Sequence, residues 1–153
     1  HADEALKIID NPTSDEELIL KNFKYRGNIA VIHFDESIMP KNKKAWCSWN
    51  SSMSADNIER TSVTYWLNQL QNLKIDKNIF LTINPFREIS ADKTYKKVRF
   101  THPYFDADAL LNQKNLQKIQ NKKNILFCGS YFGYGFHEDG IKSSIEMLKT
   151  LND

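Results

Sequence analysis

Gly129–Gly140 reads GSYFGYGFHEDG and holds four of the five glycines in the 153-residue chain. Tyr131, Phe132, Tyr134 and Phe136 interleave with them, and His137, Glu138 and Asp139 follow. Glycine admits positive φ and lets a ligand approach the main chain closely, a freedom that Gly129, Gly133 and Gly135 could use. Aromatic rings supply flat apolar walls. The first amides of the helix expected next are unsatisfied donors at the positive end of its dipole. Together these suit a flat ring that accepts hydrogen bonds, such as a flavin, whose pyrimidine edge becomes negative on reduction. The competing reading is a tight connection whose glycines serve turn geometry alone. The stretch is neither a GxGxxG fingerprint nor a phosphate loop, since it lacks the Lys-Ser/Thr of the latter.

Other residues carry weaker chemistry. His137 could polarise a bound ring, or it could orient the adjacent turn with Glu138 and Asp139. Trp46, Trp49 and Trp66 could line a substrate cavity, although aromatic residues on strands usually face a core. Asn50, Asn68 and Asn84 could add amide contacts there. His33 and His102 lie in strand contexts and read as structural histidines, and His1 reads as a frayed terminus. Cys47 and Cys128 stand alone in apolar surroundings and read as small buried hydrophobes. The Asp35-Glu36 pair reads as a turn. No Ser-His-Asp order, paired-carboxylate pattern or metal-ligand spacing is visible, so no catalytic residue and no metal site is assigned.

The elements that must position these residues follow from periodicity and punctuation. Asp3–Ile9 reads as a short helix broken by Asn11-Pro12. Thr13 or Ser14 caps a second helix, with Glu16 or Glu17 closing a capping box, that runs to about Phe23. Strands are expected over 28–34, 61–67, 78–84 and 96–102, the last stopped by Pro103, with a further alternating stretch over 45–50 and a loop over 51–60. Residues 106–119 read as one amphipathic helix and 124–128 (NILFC) as a buried strand. The glycine turn and a helix over about 139–151 close the chain. The fold class is α+β: a mainly antiparallel or mixed sheet with flanking helices, then a terminal strand–Gly turn–helix like the last βα unit of a nucleotide-binding fold. A division into 1–123 and 124–153 is expected.

Lys and Arg number 21 against 19 Asp and Glu, a net charge of +2. That balance gives no footprint for nucleic acid or an anionic membrane. The KNKK run at Lys41–Lys44 reads as a solvated turn. No apolar run reaches the ~20 residues that span a bilayer, and no signal peptide is recognisable. A cytoplasmic protein is the default expectation. The opening HADEALKIID has no initiator Met, which suggests a processed chain, a piece of a longer protein or a split-gene product.

The turn with its helix, GSYFGYGFHEDGIKSSIEML, resembles the C-terminal flavin-binding segment of bacterial FAD-dependent oxidoreductases of the flavin-containing amine oxidase type, more narrowly a group of NAD/FAD-binding amine-oxidase-like proteins. HADEAL, FKYRGNIAVIHFDESIMP, KKAWCSWNSS, VTYWLNQLQ, THPYFD and LFCGSYFGYGFHEDG agree in the same order, so the resemblance spans essentially the whole chain. It implies a Rossmann-type FAD domain paired with a substrate domain on a largely antiparallel sheet. It implies that the C-terminal segment returns to the FAD domain and lays a helix start against the flavin. Carried over, Gly129 and Ser130 lie near the ribityl and pyrophosphate region, and Glu138, Asp139, Gly140 and Ile141 open the flavin-facing helix. Tyr131, Gly133, Gly135, Phe136 and His137 complete the implied cofactor set. The chain departs from the family in having no GxGxxG, so the FAD-anchoring half is expected elsewhere as a partner. FAD is not expected to bind this chain tightly alone, and the isolated chain is expected to be inactive. In the complete enzyme FAD oxidises an unidentified small substrate. The alternative is a cofactor-free binding or interaction module, a folded monomer or dimer whose glycine turn packs on protein; a mere fragment is expected instead to self-associate through the face of its last helix and residues 124–128.

Overall fold

The computed structural model describes residues 1–54 and 60–151. Its contacts define two compact units: the residues before Gly27 with those after Thr101, and Gly27–Thr101 between them. These boundaries differ from the expected one at 123/124, because 124–151 share a unit with the first helices.

The first unit opens with α1 (Ala2–Ile8) and α2 (Ser14–Lys21). Thr13 caps α2 as its sequence directs: the Glu16 amide donates to Thr13 Oγ1 at 3.2 Å, and Glu16 Oε2 accepts from the Thr13 amide at 2.6 Å. Thr13→Ala is expected to destabilise the unit by about 1 kcal/mol, read by urea unfolding, because one of the orphan helix donors loses its acceptor. Later come α4 (Ala107–Gln113) and α5 (His137–Lys149). Residues 106–119 are not one helix: α4 ends at Gln113 and a 3₁₀ turn spans Leu116–Ile119. The break falls where Asn115 donates back to the Asn112 carbonyl at 2.8 Å and its side chain to Asn112 Oδ1 at 3.1 Å. Such local bonds compete with helix continuation. Ala2, Ile19, Leu20, Phe23, Ala109, Leu116, Ile119, Phe127 and Tyr131 form the core. Asn112, buried among them, donates to the Ile19 carbonyl at 2.6 Å.

The expected strand at 124–128 does not form; only an isolated bridge joins Lys122 to Ile125. The Gln120 side chain takes the place of a strand partner, accepting from the Phe127 amide at 2.9 Å and donating to its carbonyl at 2.8 Å. Apolarity in this segment reports the burial of Phe127, not a sheet.

The second unit is built on a five-stranded antiparallel sheet in the order β2-β3-β4-β1-β5. The strands are β1 (Lys24–His33), β2 (Trp49–Met53), β3 (Thr61–Trp66), β4 (Phe80–Ile83) and β5 (Thr94–Tyr104). The short α3 (Leu67–Leu70) follows β3. Pro103 does not stop β5, because an edge strand has one side on which no N–H is required. The strand near Trp49 starts later than its alternation suggests: a 3₁₀ turn occupies Lys43–Ala45, and the Asn50 side chain binds both the amide and the carbonyl of Cys47. β2 then runs to Met53, into the stretch expected as a loop, whose residues 55–59 lie outside the described part.

Register fixes the buried face. Thr64 pairs with Thr82 and Trp66 with Phe80, while Val31 and His33 continue the row on β1. His33 is fully buried, and its Nε2 lies 2.7 Å from Thr82 Oγ1, which is 2.9 Å from Thr64 Oγ1. The Asp35 amide donates to His33 Nδ1 at 3.1 Å, so the ring proton sits on Nε2 and both nitrogens are satisfied. His33 is thus the structural histidine expected. Among the described residues, no helix is long and apolar enough to cross a membrane.

Candidate functional site

The glycine turn lies wholly in the first unit and is held by its own backbone. Phe132 donates to the Gly129 carbonyl, and Gly133 and Gly135 both donate to that of Ser130, each at 3.1 Å. Gly129 and Gly135 adopt φ of 149° and 93°, the region glycine tolerates best. Gly133 does not; its φ is −132°. Its lack of a side chain matters for another reason, since a Cβ there would lie 2.3 Å from Asp139 Oδ1. That space admits the Asp139 carboxylate, whose Oδ2 accepts from the amides of Tyr134 (3.0 Å) and Phe136 (2.9 Å). Gln113 donates to the carbonyls of Tyr131 and Gly133 and ties the turn to α4. Ser143 receives the Gly129 amide at 2.9 Å and passes its own proton to the Gly140 carbonyl. Sequence spacing identifies the glycines but cannot show that one aspartate and one serine of α5 hold the whole bend.

The aromatic residues divide. Tyr131 is 5% exposed and packs on Phe23 and Phe132 with ring centroids 5.3 and 5.0 Å apart. Burial, helped by Cys128 and Tyr25, holds its hydroxyl above the ordinary tyrosine range. Its ring is core, so it cannot form a free wall for a flat ligand. Tyr134 and Phe136, 71% and 70% exposed, retain that capacity. His137 and Glu138 supply the first amides of α5, which have no acceptor within the helix. The Glu138 carboxylate turns toward Lys142, 3.6 Å away. Gly140 has room for a Cβ, and Ile141 begins an exposed stripe continued by Ile145, Leu148 and Leu151.

A cleft of about 330 Å³ opens beside the turn, between Cys128–Tyr131 and the α1 residues Glu4, Ala5 and Ile8 with His1 before them. Of the residues assigned from sequence, Gly129, Ser130 and Tyr131 meet here, whereas Gly135, Phe136 and His137 do not line it. The α1 contribution was invisible in sequence, because it comes from a non-local contact. His1 is also no frayed end: its ring stacks on Tyr25 at 4.3 Å. The cleft sets Gly129 and Ser130 beside Ala5 and Ile8 of α1, with Glu4 also in its lining, while the Tyr131 ring covers the Gly129 main chain.

The remaining candidates lie elsewhere. Trp46 meets Trp66 edge-on at 5.4 Å and Phe80 at 5.7 Å, and the two indoles donate to the Pro40 carbonyl and Asn78 Oδ1. Trp49 is 65% exposed and pairs with Tyr65 across the β2–β3 edge. The structure therefore does not gather the three tryptophans around one space. Asn68 and Asn84 hold backbone, the first accepting from the Ile79 amide and the second from the Ile29 amide. His102 is exposed on β5. Both cysteines are exposed, contrary to the apolar context of their neighbours. Cys47 sits in the turn that Asn50 organises, and Cys128 follows buried Phe127 on the opposite side of the chain. Lys41–Lys44 are exposed as expected, with Lys43 paired to Glu36. Asp35 is more than a turn residue. Burial opposes its charge, yet the Ser37 hydroxyl and amide and the Lys93 ammonium outweigh it and hold the carboxyl below its ordinary range. No family model and no curated protein matches the chain.

Proposed function

We propose that this chain is the C-terminal portion of an FAD-dependent oxidoreductase of the amine oxidase type. The observation that carries the reading is the division of the chain. Both ends share one helical unit that contains the glycine turn, and the antiparallel sheet forms a separate unit between them. A returning C-terminal segment and an inserted substrate domain require that arrangement. Bound FAD supplies the redox chemistry, accepting a hydride equivalent from a small substrate at a C–N or C–C bond. This chain's part is to bind and orient: Gly129 and Ser130 line the cleft, the amides of His137 and Glu138 offer donors, and Tyr134 and Phe136 cover apolar ring surface. Asp139 keeps the turn in shape. Co-production with the polypeptide encoded upstream of His1, which in this reading carries a strand-flanked GxGxxG, is expected to give a yellow complex with flavin absorbance. A colourless complex of the two overturns the reading.

A second reading, a cofactor-free interaction module, is favoured by one observation. Ile141, Ile145, Leu148 and Leu151 form a half-exposed apolar stripe along α5. That reading expects a folded monomer or dimer without flavin, so size-exclusion mass measured together with visible absorbance separates the two.

A further inference from the structure

β1 and β5 are neighbours in the sheet, and above them lies a groove of about 410 Å³ lined by Gly27, Asn28, Ile29, Arg99, Phe100 and Thr101. Arg99 is the only ionisable group in that lining. Among the described residues its guanidinium makes no hydrogen bond, ion pair or ring contact, whereas Arg26 on the same pair of strands lies over the Tyr104 ring at 3.6 Å. The groove therefore carries one uncompensated positive charge. Gly27 sits mid-strand, where glycine weakens a sheet and often marks a close approach of something else to the backbone. A Cβ built on it meets nothing within 4 Å, and its φ is outside the left-handed region, so neither sterics nor backbone conformation demands glycine there. What the missing side chain leaves is open floor beside Ile29, which shares its face of β1.

We propose that this groove binds an organic monocarboxylate, with the carboxylate on the Arg99 guanidinium and the apolar body over Gly27 and Ile29. A planar guanidinium offers two parallel donors to a carboxylate, the geometry that makes this pair strong and directional. Thr101, two residues from Arg99 on β5, adds a neutral polar group but no second charge, which selects a monoanion over phosphate. The apolar floor selects a carbon body over an inorganic ion. The groove shares no lining residue with the glycine turn.

Benzoate is the probe, with benzyl alcohol and inorganic phosphate as controls, titrated into the 153-residue chain and followed by amide chemical shifts. Saturable shifts are expected at Gly27, Ile29, Arg99 and Thr101 with benzoate and not with benzyl alcohol. Arg99→Gln is expected to weaken benzoate about tenfold or more, the loss of a charge-assisted pair. Gly27→Val is expected to fill the floor and abolish binding while leaving the unfolding midpoint unchanged or higher. No saturable benzoate binding at millimolar concentration overturns the proposal. So does binding that both variants leave intact, and so does phosphate binding as tightly as benzoate.

Discussion

Acidification from pH 7 to pH 4 is expected to remove about 3 kcal/mol of folding stability through His33 alone. Burial of the imidazole lowers its pKa from 6.5 to about 4 against the pull of Asp35. The unfolded chain therefore takes up a proton below pH 6.5, while the folded chain refuses it until pH 4. Stability from this residue is full above 6.5, falls across the interval and loses nothing further below 4. The refusal has a structural cause, because the ring sits at the end of a chain of neutral bonds. Nδ1 already accepts from the Asp35 amide, and Nε2 donates to Thr82, whose hydroxyl meets Thr64. A proton on Nδ1 would break the first bond and leave the Asp35 amide facing a second donor. Phe80 closes the site, its ring centroid 5.5 Å from the imidazole. The Asp35 carboxyl, held low by Ser37 and Lys93, acts in a separate window, where stability is lost as pH falls below the ordinary carboxylate range. Urea unfolding at half-unit steps of pH measures the slope. His33→Gln is expected to be less stable at pH 7 and nearly flat between 6.5 and 4. A wild-type protein equally stable at pH 7 and pH 4 would refute the buried, neutral histidine.

That histidine was legible in sequence as a structural residue on a strand, although not its non-local partners Thr82 and Phe80, which come from β4. The pattern holds across the molecule. Local chemistry could be read: Thr13 and Glu16 announce the start of α2, Val31 and Ile32 their strand, and the glycines of 129–140 a bend before a helix. Misreadings arose where a non-local partner replaced the expected local one. NILFC looks like a buried strand because Phe127 is buried, yet Gln120, seven residues earlier, satisfies its backbone. Tyr131 and Tyr134 look equivalent in sequence. Packing against Phe23 sends the first into the core and leaves the second at the surface. For the candidate site, periodicity located the turn but gave no hint of Glu4, Ala5 and Ile8 beside it, since their approach depends on how α1 packs. The charge of Arg99 was visible, but that no described residue pairs with it is a property of the folded surface alone.

Asp139→Ala is expected to release the glycine turn, with a loss of about 2 kcal/mol and, in the proposed complex, loss of flavin retention. One carboxylate oxygen accepts two consecutive-turn amides, Tyr134 and Phe136, and the charge sits in the first turn of α5, where the helix dipole favours it. Hydrogen bonds to a charged acceptor are the stronger kind, and here both end on residues of the bend itself. Without them the Tyr134 and Phe136 amides are left to water, and the bend that carries the two exposed rings is no longer held. Gly133→Ala tests the same device from the other side. Its Cβ would meet the Asp139 carboxylate well inside contact distance, so the carboxylate must leave although its chemistry is untouched. The two variants are thus expected to share one signature: faster hydrogen exchange at Tyr134 and Phe136, with the Phe127 amide, held by Gln120, still protected. Asp139→Asn retains an acceptor oxygen but not the charge and is expected to fall between wild type and alanine. If Asp139→Ala left exchange at both amides unchanged, the carboxylate would not be what shapes the turn, and the proposed flavin-facing role of that turn would fall with it.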